Sequence, residues 1–165
     1  MLTDREESTR TIILTHVARV RALLELVALD LTRRGLEHDR SKLESPEFEV
    51  FSEFSSKLKN SVYLSDEYNS FRREMDDALV HHYKHNSHHP EHYANGIDGM
   101  NLFDIFEMFV DWKAAGEYHN TGDIRKSIEL NIDRFKMSPQ LVNIFNNTVE
   151  YMFGAKGIAS AVSPR

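Results

Sequence analysis

The amino-acid sequence predicts an all-α domain of about six helices. Apolar residues recur at steps of three and four in at least four segments, which is the spacing of one helix face. No long segment alternates polar and apolar residues as a strand does, and no internal repeat or linker divides the chain. A chain of 165 residues is long enough to bury one core. We therefore expect one helical domain over residues 1–153 and a flexible tail over 154–165.

Three helices are predicted in the first half of the chain. The first carries an apolar face made of Ile13, Val17, Val20, Leu24, Val27 and Leu31. Gly35 is its expected end. Pro46 suits the first turn of a second helix, whose apolar residues are Phe48, Phe51, Phe54 and Leu58. Ser65 is a favourable N-cap for a third helix, in which the residues in register are Phe71, Met75, Ala78 and His82.

The second half begins with a loop rich in His, Asn, Pro and Gly over residues 85–101. A strongly apolar helix is expected over 102–115, closed by Gly116. Two further helices are expected over 121–135 and 138–153. Ser138-Pro139 is a good start signal for the last one, because the serine can cap the helix and proline fits its first position.

The composition restricts the kinds of ligand and chemistry that the chain can support. The chain has 26 acidic and 20 basic side chains, a net charge of −6, which is poorly suited to binding polymeric nucleic acid. A small phosphorylated ligand remains compatible with this charge, because a bound metal ion dominates its local field. The absence of cysteine excludes disulfides, thiolate ligands and a cysteine nucleophile. The first residues lack the apolar core of a signal peptide and no apolar run has membrane length, so we expect a cytoplasmic protein without a membrane segment.

Six of the nine histidines lie between positions 81 and 92. Histidine is the commonest metal ligand in proteins, so this density indicates a site. His82 continues the apolar stripe of the third helix, whereas His81 aligns with acidic residues on the wetter side. We therefore expect His82 and His89 to bind metal and His88 to lie near substrate. His85 and His92 are expected at the surface.

Further candidates lie on other helices. His16 falls on the inward face of the first helix, and His38-Asp39 follows the end of that helix. The apolar helix carries Asp104, Glu107 and Asp111 at steps of three and four. We expect Asp104 on a solvated face, whereas Glu107 and Asp111 need partners if that helix is buried. Each feature alone is ordinary; together they predict a metal site.

The order of these residues resembles the HD-domain superfamily of metal-dependent phosphohydrolases, which are all-helical. A closer resemblance is to a small uncharacterised HD-like family of phage and bacterial genomes. The motifs that carry it are His38-Asp39-Arg40-Ser41-Lys42, His81-His82-x-x-x-Asn86-x-His88-His89 and Glu107-Met108-x-x-Asp111-Trp112. If the chain is phage-encoded, its compartment is the host cytoplasm.

The resemblance implies a phosphohydrolase that acts on a nucleotide or another small phosphate ester or anhydride. One or two ions, which can be Zn, Mn, Fe, Co or Ni, would be bound. The implied ligands are His16, His38, Asp39, His82, His89 and Asp111. His88 or Glu107 would transfer a proton, and the expected substrate-binding residues are Lys42, Asn86 and Arg125. The alternatives are an HD-fold di-iron oxygenase and a non-catalytic helical interaction domain with a structural metal.

Overall fold

The computed structural model describes residues 3–61, 65–118 and 123–161, and the regular structure in these ranges is entirely helical. The prediction of an all-α protein is confirmed. The described ranges contain seven α-helices: α1 (Asp4–Glu37), α2 (Glu47–Asn60), α3 (Asp66–Glu74), α4 (Asp76–His85), α5 (Leu102–Tyr118), α6 (Ile124–Phe135) and α7 (Pro139–Phe153). None of these helices is both long and apolar enough to cross a membrane.

The chain divides into two compact units, Met1–His38 and Asp39–Arg165. The first unit consists of α1, which Thr3 and Glu6 begin with a reciprocal capping box. No described residue of α1 is buried, and His16, predicted on an inward face, is exposed. The predicted end at Gly35 is wrong by two residues. A glycine inside a helix costs only about 1 kcal/mol, too little to end one that is well formed on both sides of it.

The second unit begins with helices α2, α3 and α4. Helix α2 starts at Glu47, directly after Pro46, close to the predicted position. Ser65 caps α3 by accepting a hydrogen bond from the backbone N–H of Tyr68. The predicted third helix is in fact two helices, because the helical conformation is interrupted at Met75, between α3 and α4. Met75 is buried and has φ −93° and ψ 7°, and the acidic residues that follow it favour a new helix start.

The main hydrophobic core lies between α5, α6 and α7. Its buried residues are Met108, Phe109, Ile124, Ile128, Met137, Phe145 and Val149. The rings of Phe109 and Phe145 stack with centroids 5.4 Å apart. Helix α5 continues past Gly116 to Tyr118, so the end predicted at residue 115 is wrong. By fixing the position of α5, this core also fixes the α5 side chains that face the candidate metal centre.

The last two helices begin at side-chain N-caps. Asp123 caps α6, and the predicted start at residue 121 lies outside the described residues. Ser138 caps α7 as predicted, accepting from the N–H of Leu141. Of the expected flexible tail, residues 154–161 are described and include a 3-10 turn, Ile158–Ala161, whereas residues 162–165 lie outside the described residues.

The segment between α4 and α5 is held by Asp104. The Asp104 carboxylate accepts hydrogen bonds from Ser87 Oγ at 2.8 Å, from Tyr93 Oη at 2.7 Å and from the Asn101 N–H at 3.1 Å. Its side chain is only 1 % exposed. The expectation that Asp104 lies on a solvated face is therefore wrong, because the preceding segment folds over the start of α5.

Candidate metal centre

Four side chains of the second unit converge on one point: Asp39, His82, His88 and His89. One ligand atom of each lies within 4.8 Å of the others. His82 Nε2 is 2.9 Å from His89 Nε2 and 3.2 Å from Asp39 Oδ1. His88 Nε2 is 3.5 Å from the same Asp39 oxygen. We call this group the Asp39 cluster.

Asp39 reaches the cluster from a left-handed backbone conformation, with φ 54° and ψ 19°. Aspartate is one of the few residue types found there with some frequency. A 3-10 turn, Arg40–Leu43, follows it and brings Lys42 back, so that Lys42 Nζ donates to Asp39 Oδ2 at 2.5 Å. The lysine therefore takes one carboxylate oxygen, and the other faces the histidines.

His82 is oriented by a buried carboxylate, Glu47. His82 Nδ1 lies 2.9 Å from Glu47 Oε2, and His81 Nδ1 lies 2.7 Å from Glu47 Oε1. Glu47 is 0 % exposed. Burial alone would raise the Glu47 pKa, but hydrogen bonds from His81, His82 and Ser41 outweigh it and lower the pKa. With Glu47 ionised, His82 Nδ1 is the nitrogen that donates to it, and Nε2 is the nitrogen that faces the cluster.

His88 repeats this arrangement with a second carboxylate. Its side chain is 2 % exposed, and its Nδ1 lies 3.2 Å from Glu107 Oε1 on α5. A proton on Nδ1 leaves Nε2 to face Asp39 Oδ1. Two buried histidines therefore present the same nitrogen to one carboxylate, each with an acid behind it, which is the usual setting of histidine ligands to metals.

His89 completes the group as a neutral imidazole. Burial and the neighbouring His88 and His82 lower the pKa of His89 to about 2. Neutral histidine is the form that binds metal. Ligand atoms of a tetrahedral ion at the usual bond lengths are about 3.3 Å apart. Three of the six separations, 2.9, 3.2 and 3.5 Å, are close to this spacing, and all six lie within 4.8 Å. Nitrogen and carboxylate donors of this kind suit Zn, Mn, Fe, Co or Ni.

The structure brings together three of the predicted ligands, Asp39, His82 and His89, and adds His88, which was expected near substrate. His16 and His38 belong to the first unit, so their role as ligands stays a prediction. The predicted orientation of the histidine pair is confirmed. His82 is buried, whereas the His81 side chain is 34 % exposed.

Four other residues singled out in the sequence lie outside the Asp39 cluster: His85, His92, Asn86 and Arg125. His85 and His92 are exposed, as predicted. Asn86 donates to Ser41 Oγ and to the His82 carbonyl oxygen, both at 2.8 Å, so it fixes the cluster's surroundings. Arg125 pairs with Glu150 and Asn146 on α7, and its role in substrate binding stays a prediction.

Sequence reasoning missed Glu47. A signal for it exists, because Glu47, Phe51, Phe54 and Leu58 follow one another at steps of four, three and four. Glu47 therefore extends the buried stripe of α2, whereas Phe48, which was expected on that stripe, is 52 % exposed. An acid in phase with buried aromatics needs a partner, and the histidines of α4 are that partner.

A cavity of about 200 Å³ adjoins the Asp39 cluster, with His82 and His89 in its wall. Asp111 of α5 lines it as well. Its cationic residues are Lys42, Arg72 and Arg134, and its aromatic residues are Phe51, Tyr68, Tyr83, Trp112 and Phe135. The arrangement can hold a small anion with an apolar body beside the cluster.

The chain belongs to a protein family described as a family of unknown function, DUF5662, which matches residues 5–151. No curated protein matches the chain, and neither does any solved structure.

Proposed function

We propose that this protein is a divalent-metal-dependent phosphohydrolase of the HD type. The observation that carries the proposal is the pairing of two buried histidines with two glutamates, His82 with Glu47 and His88 with Glu107. Both pairs direct Nε2 toward Asp39, and His89 adds a third neutral imidazole.

The residues that would hold the ion are Asp39, His82, His88 and His89. When bound, a divalent ion would polarise a phosphoryl oxygen and lower the pKa of a water molecule, so that hydroxide is available near neutral pH. Glu47 and Glu107 keep the two histidine rings in place and their Nδ1 atoms protonated. His16 and His38, which belong to the first unit, stay ligands that the resemblance implies. Asp111 is implied as a ligand too, and its carboxylate lies within 4.8 Å of a His88 ring nitrogen.

The substrate class follows from the cavity next to the cluster. Lys42, Arg72 and Arg134 provide positive charge for a phosphate group, although the chain as a whole is acidic. The aromatic wall, including Tyr68 and Trp112, can accept a flat apolar group such as a base. A nucleotide or another small phosphate ester therefore suits the cavity better than a polymer.

The predicted proton-transfer roles change in the light of this geometry. His88 and Glu107 face each other and are not in the described lining of the cavity, whereas Asp111 is. We therefore propose that Asp111 transfers the proton to the leaving oxygen and is not a ligand of the ion. His88 is assigned to the ion.

The experiment is metal analysis of protein without an affinity tag, followed by assays of phosphate release from nucleotides with Mn, Co, Mg or Zn. The Asp39→Asn variant should lose both metal and activity while its circular dichroism spectrum stays helical. Asp77→Asn, at an exposed position of α4, is the matched control.

Full metal content and activity in Asp39→Asn would refute the assignment. Visible absorption with oxygen-dependent turnover would instead indicate the di-iron oxygenase. Tightly bound metal without turnover of any phosphate compound would indicate a structural metal in an interaction domain.

A further inference from the structure

Arg134 lies in a wall that two cavities share. One is the cavity beside the Asp39 cluster, and the other is an open groove of about 690 Å³ between the 90–98 segment and the start of α7. Pro90, Arg134 and Phe135 line both. A side chain in this position can contact a ligand in the first cavity and solvent from the second.

The Arg134 guanidinium is held by an acid that plays no part in the cluster. Its Nη2 lies 2.6 Å from Glu91 Oε1, and the guanidinium carbon lies 4.5 Å from the centroid of the Phe135 ring. The Arg134 and Glu91 side chains are 37 % and 30 % exposed. Such a half-exposed pair contributes at most about 1 kcal/mol to stability, so Arg134 can exchange Glu91 for another anion at small cost.

The other two cations of the cavity have different partners. Lys42 is paired with Asp39 of the cluster, and Arg72 donates to the phenol oxygen of Tyr83 at 2.9 Å. Glu91 instead belongs to a short 3-10 turn, Pro90–His92, and is not in the Asp39 cluster. Glu91 can therefore leave its arginine without disturbing the cluster.

We propose that Arg134 is a phosphate-binding residue and that Glu91 is an internal competitor that occupies it until the anion arrives. The planar guanidinium offers parallel donors that fit phosphate oxygens as well as they fit a carboxylate. Phosphate binding at Arg134 breaks the contact with Glu91. The identity of the anion as phosphate rests on the proposed function.

The two partners of this pair should affect phosphate affinity in opposite directions. Glu91→Gln removes the competitor and should tighten binding of inorganic phosphate about two- to fivefold, the range that an exposed ion pair permits. Arg134→Gln should weaken it about tenfold or more, because a charged hydrogen bond is lost. A purely structural pair would give changes of the same sign.

The measurement is titration calorimetry with inorganic phosphate on the full chain, with metal loaded and after chelator treatment. Arg21→Gln, which breaks the exposed Arg21–Glu25 pair of α1, is the control and should leave affinity unchanged. Arg134→Lys keeps the positive charge but loses the parallel donors of the guanidinium, so it should give an intermediate loss of phosphate affinity. This variant replaces Arg134→Gln if Arg134→Gln fails to fold.

Loss of affinity in both Glu91→Gln and Arg134→Gln, no change in either, or no measurable phosphate binding by the unmodified protein would overturn the inference. Its failure is distinguishable from failure of the proposed function. Turnover of phosphate esters with phosphate affinity independent of Arg134 would leave the function and remove the inference. Opposite shifts in affinity without turnover would leave the inference and remove the function.

Discussion

At the scale of single residues, Glu47 serves two histidines at once. Each of its carboxylate oxygens faces the Nδ1 atom of one ring, His81 or His82. Ser41 Oγ adds a third hydrogen bond at 3.0 Å. Because both oxygens act as acceptors, the charged form of Glu47 is the one that satisfies this environment.

We predict that Glu47→Gln lowers metal affinity about 10- to 100-fold without unfolding the helices. An amide has one acceptor oxygen, so it cannot accept from both rings, and His82 loses its fixed orientation. Competition with a chromophoric chelator measures the affinity. Glu49→Gln, an exposed acid in the same first turn of α2, is the control. Equal affinities for the two variants would contradict the role of Glu47.

Helical phase, the angular position of a residue around its helix, was the basis for predicting which single residues are buried. It placed His82 inward and His81 outward, and it could have placed Glu47 on the buried stripe of α2. Phase cannot tell which buried polar groups meet, because Asp39, Glu47 and the histidines come from separate segments of the chain. The convergence of Asp39 with His88 therefore required the three-dimensional structure.

At the scale of elements, the segment between α4 and α5 is organised by one acid. Asp104 in the first turn of α5 accepts hydrogen bonds from Ser87, Tyr93 and Asn101. Ser87 directly precedes His88 and His89, so the Asp104 carboxylate also fixes the position of two cluster residues. The negative charge additionally suits the N-terminus of a helix.

We predict that Asp104→Asn destabilises the protein by about 1–3 kcal/mol, because a buried amide leaves part of this hydrogen-bond set unsatisfied. Urea unfolding of the chelator-treated protein measures the change. Asp98→Asn, exposed within the same segment, should change stability by less than about 0.5 kcal/mol. An effect of the same size in both variants would show that Asp104 does not organise the segment.

Element boundaries were predictable where caps are chemically explicit, as at Ser65 and Ser138. They were wrong where a single glycine was taken as a stop, since α1 and α5 run through Gly35 and Gly116. One predicted helix is two, because the helix is interrupted at Met75. The solvated face assigned to Asp104 was wrong because another segment covers it.

At the scale of the whole molecule, the all-α class was predictable because apolar residues at steps of three and four follow the geometry of a helix. The cavity beside the cluster was not, because its wall combines residues from α2 to α6. Positive charge gathers there in a chain with net charge −6. The net charge of the chain therefore does not predict the charge around the cavity.

We predict that the metal-free protein loses stability as the pH falls below about 6.5. The His89 pKa is about 2 in the folded state, below its ordinary value of 6.5, so only the unfolded chain takes up this proton between those values. The loss approaches about 1.4 kcal/mol per pH unit for His89 alone. The lowered pKa of Glu47 adds to the loss at more acidic pH, below its ordinary value of 4.5.

The free energy of unfolding measured by urea between pH 7.5 and 5 tests this prediction. His89→Gln should show a flatter dependence, because its side chain does not titrate. A wild-type profile that is flat over this range, or one whose slope is unchanged in His89→Gln, would contradict it.

The left-handed backbone of Asp39 sets stability against function at one position. A non-glycine residue held at φ 54° costs about 1–3 kcal/mol, which glycine would not incur. A glycine there would relax the backbone and remove the carboxylate on which the three histidines converge. A relaxed backbone and a complete candidate metal centre are therefore opposing demands on Asp39.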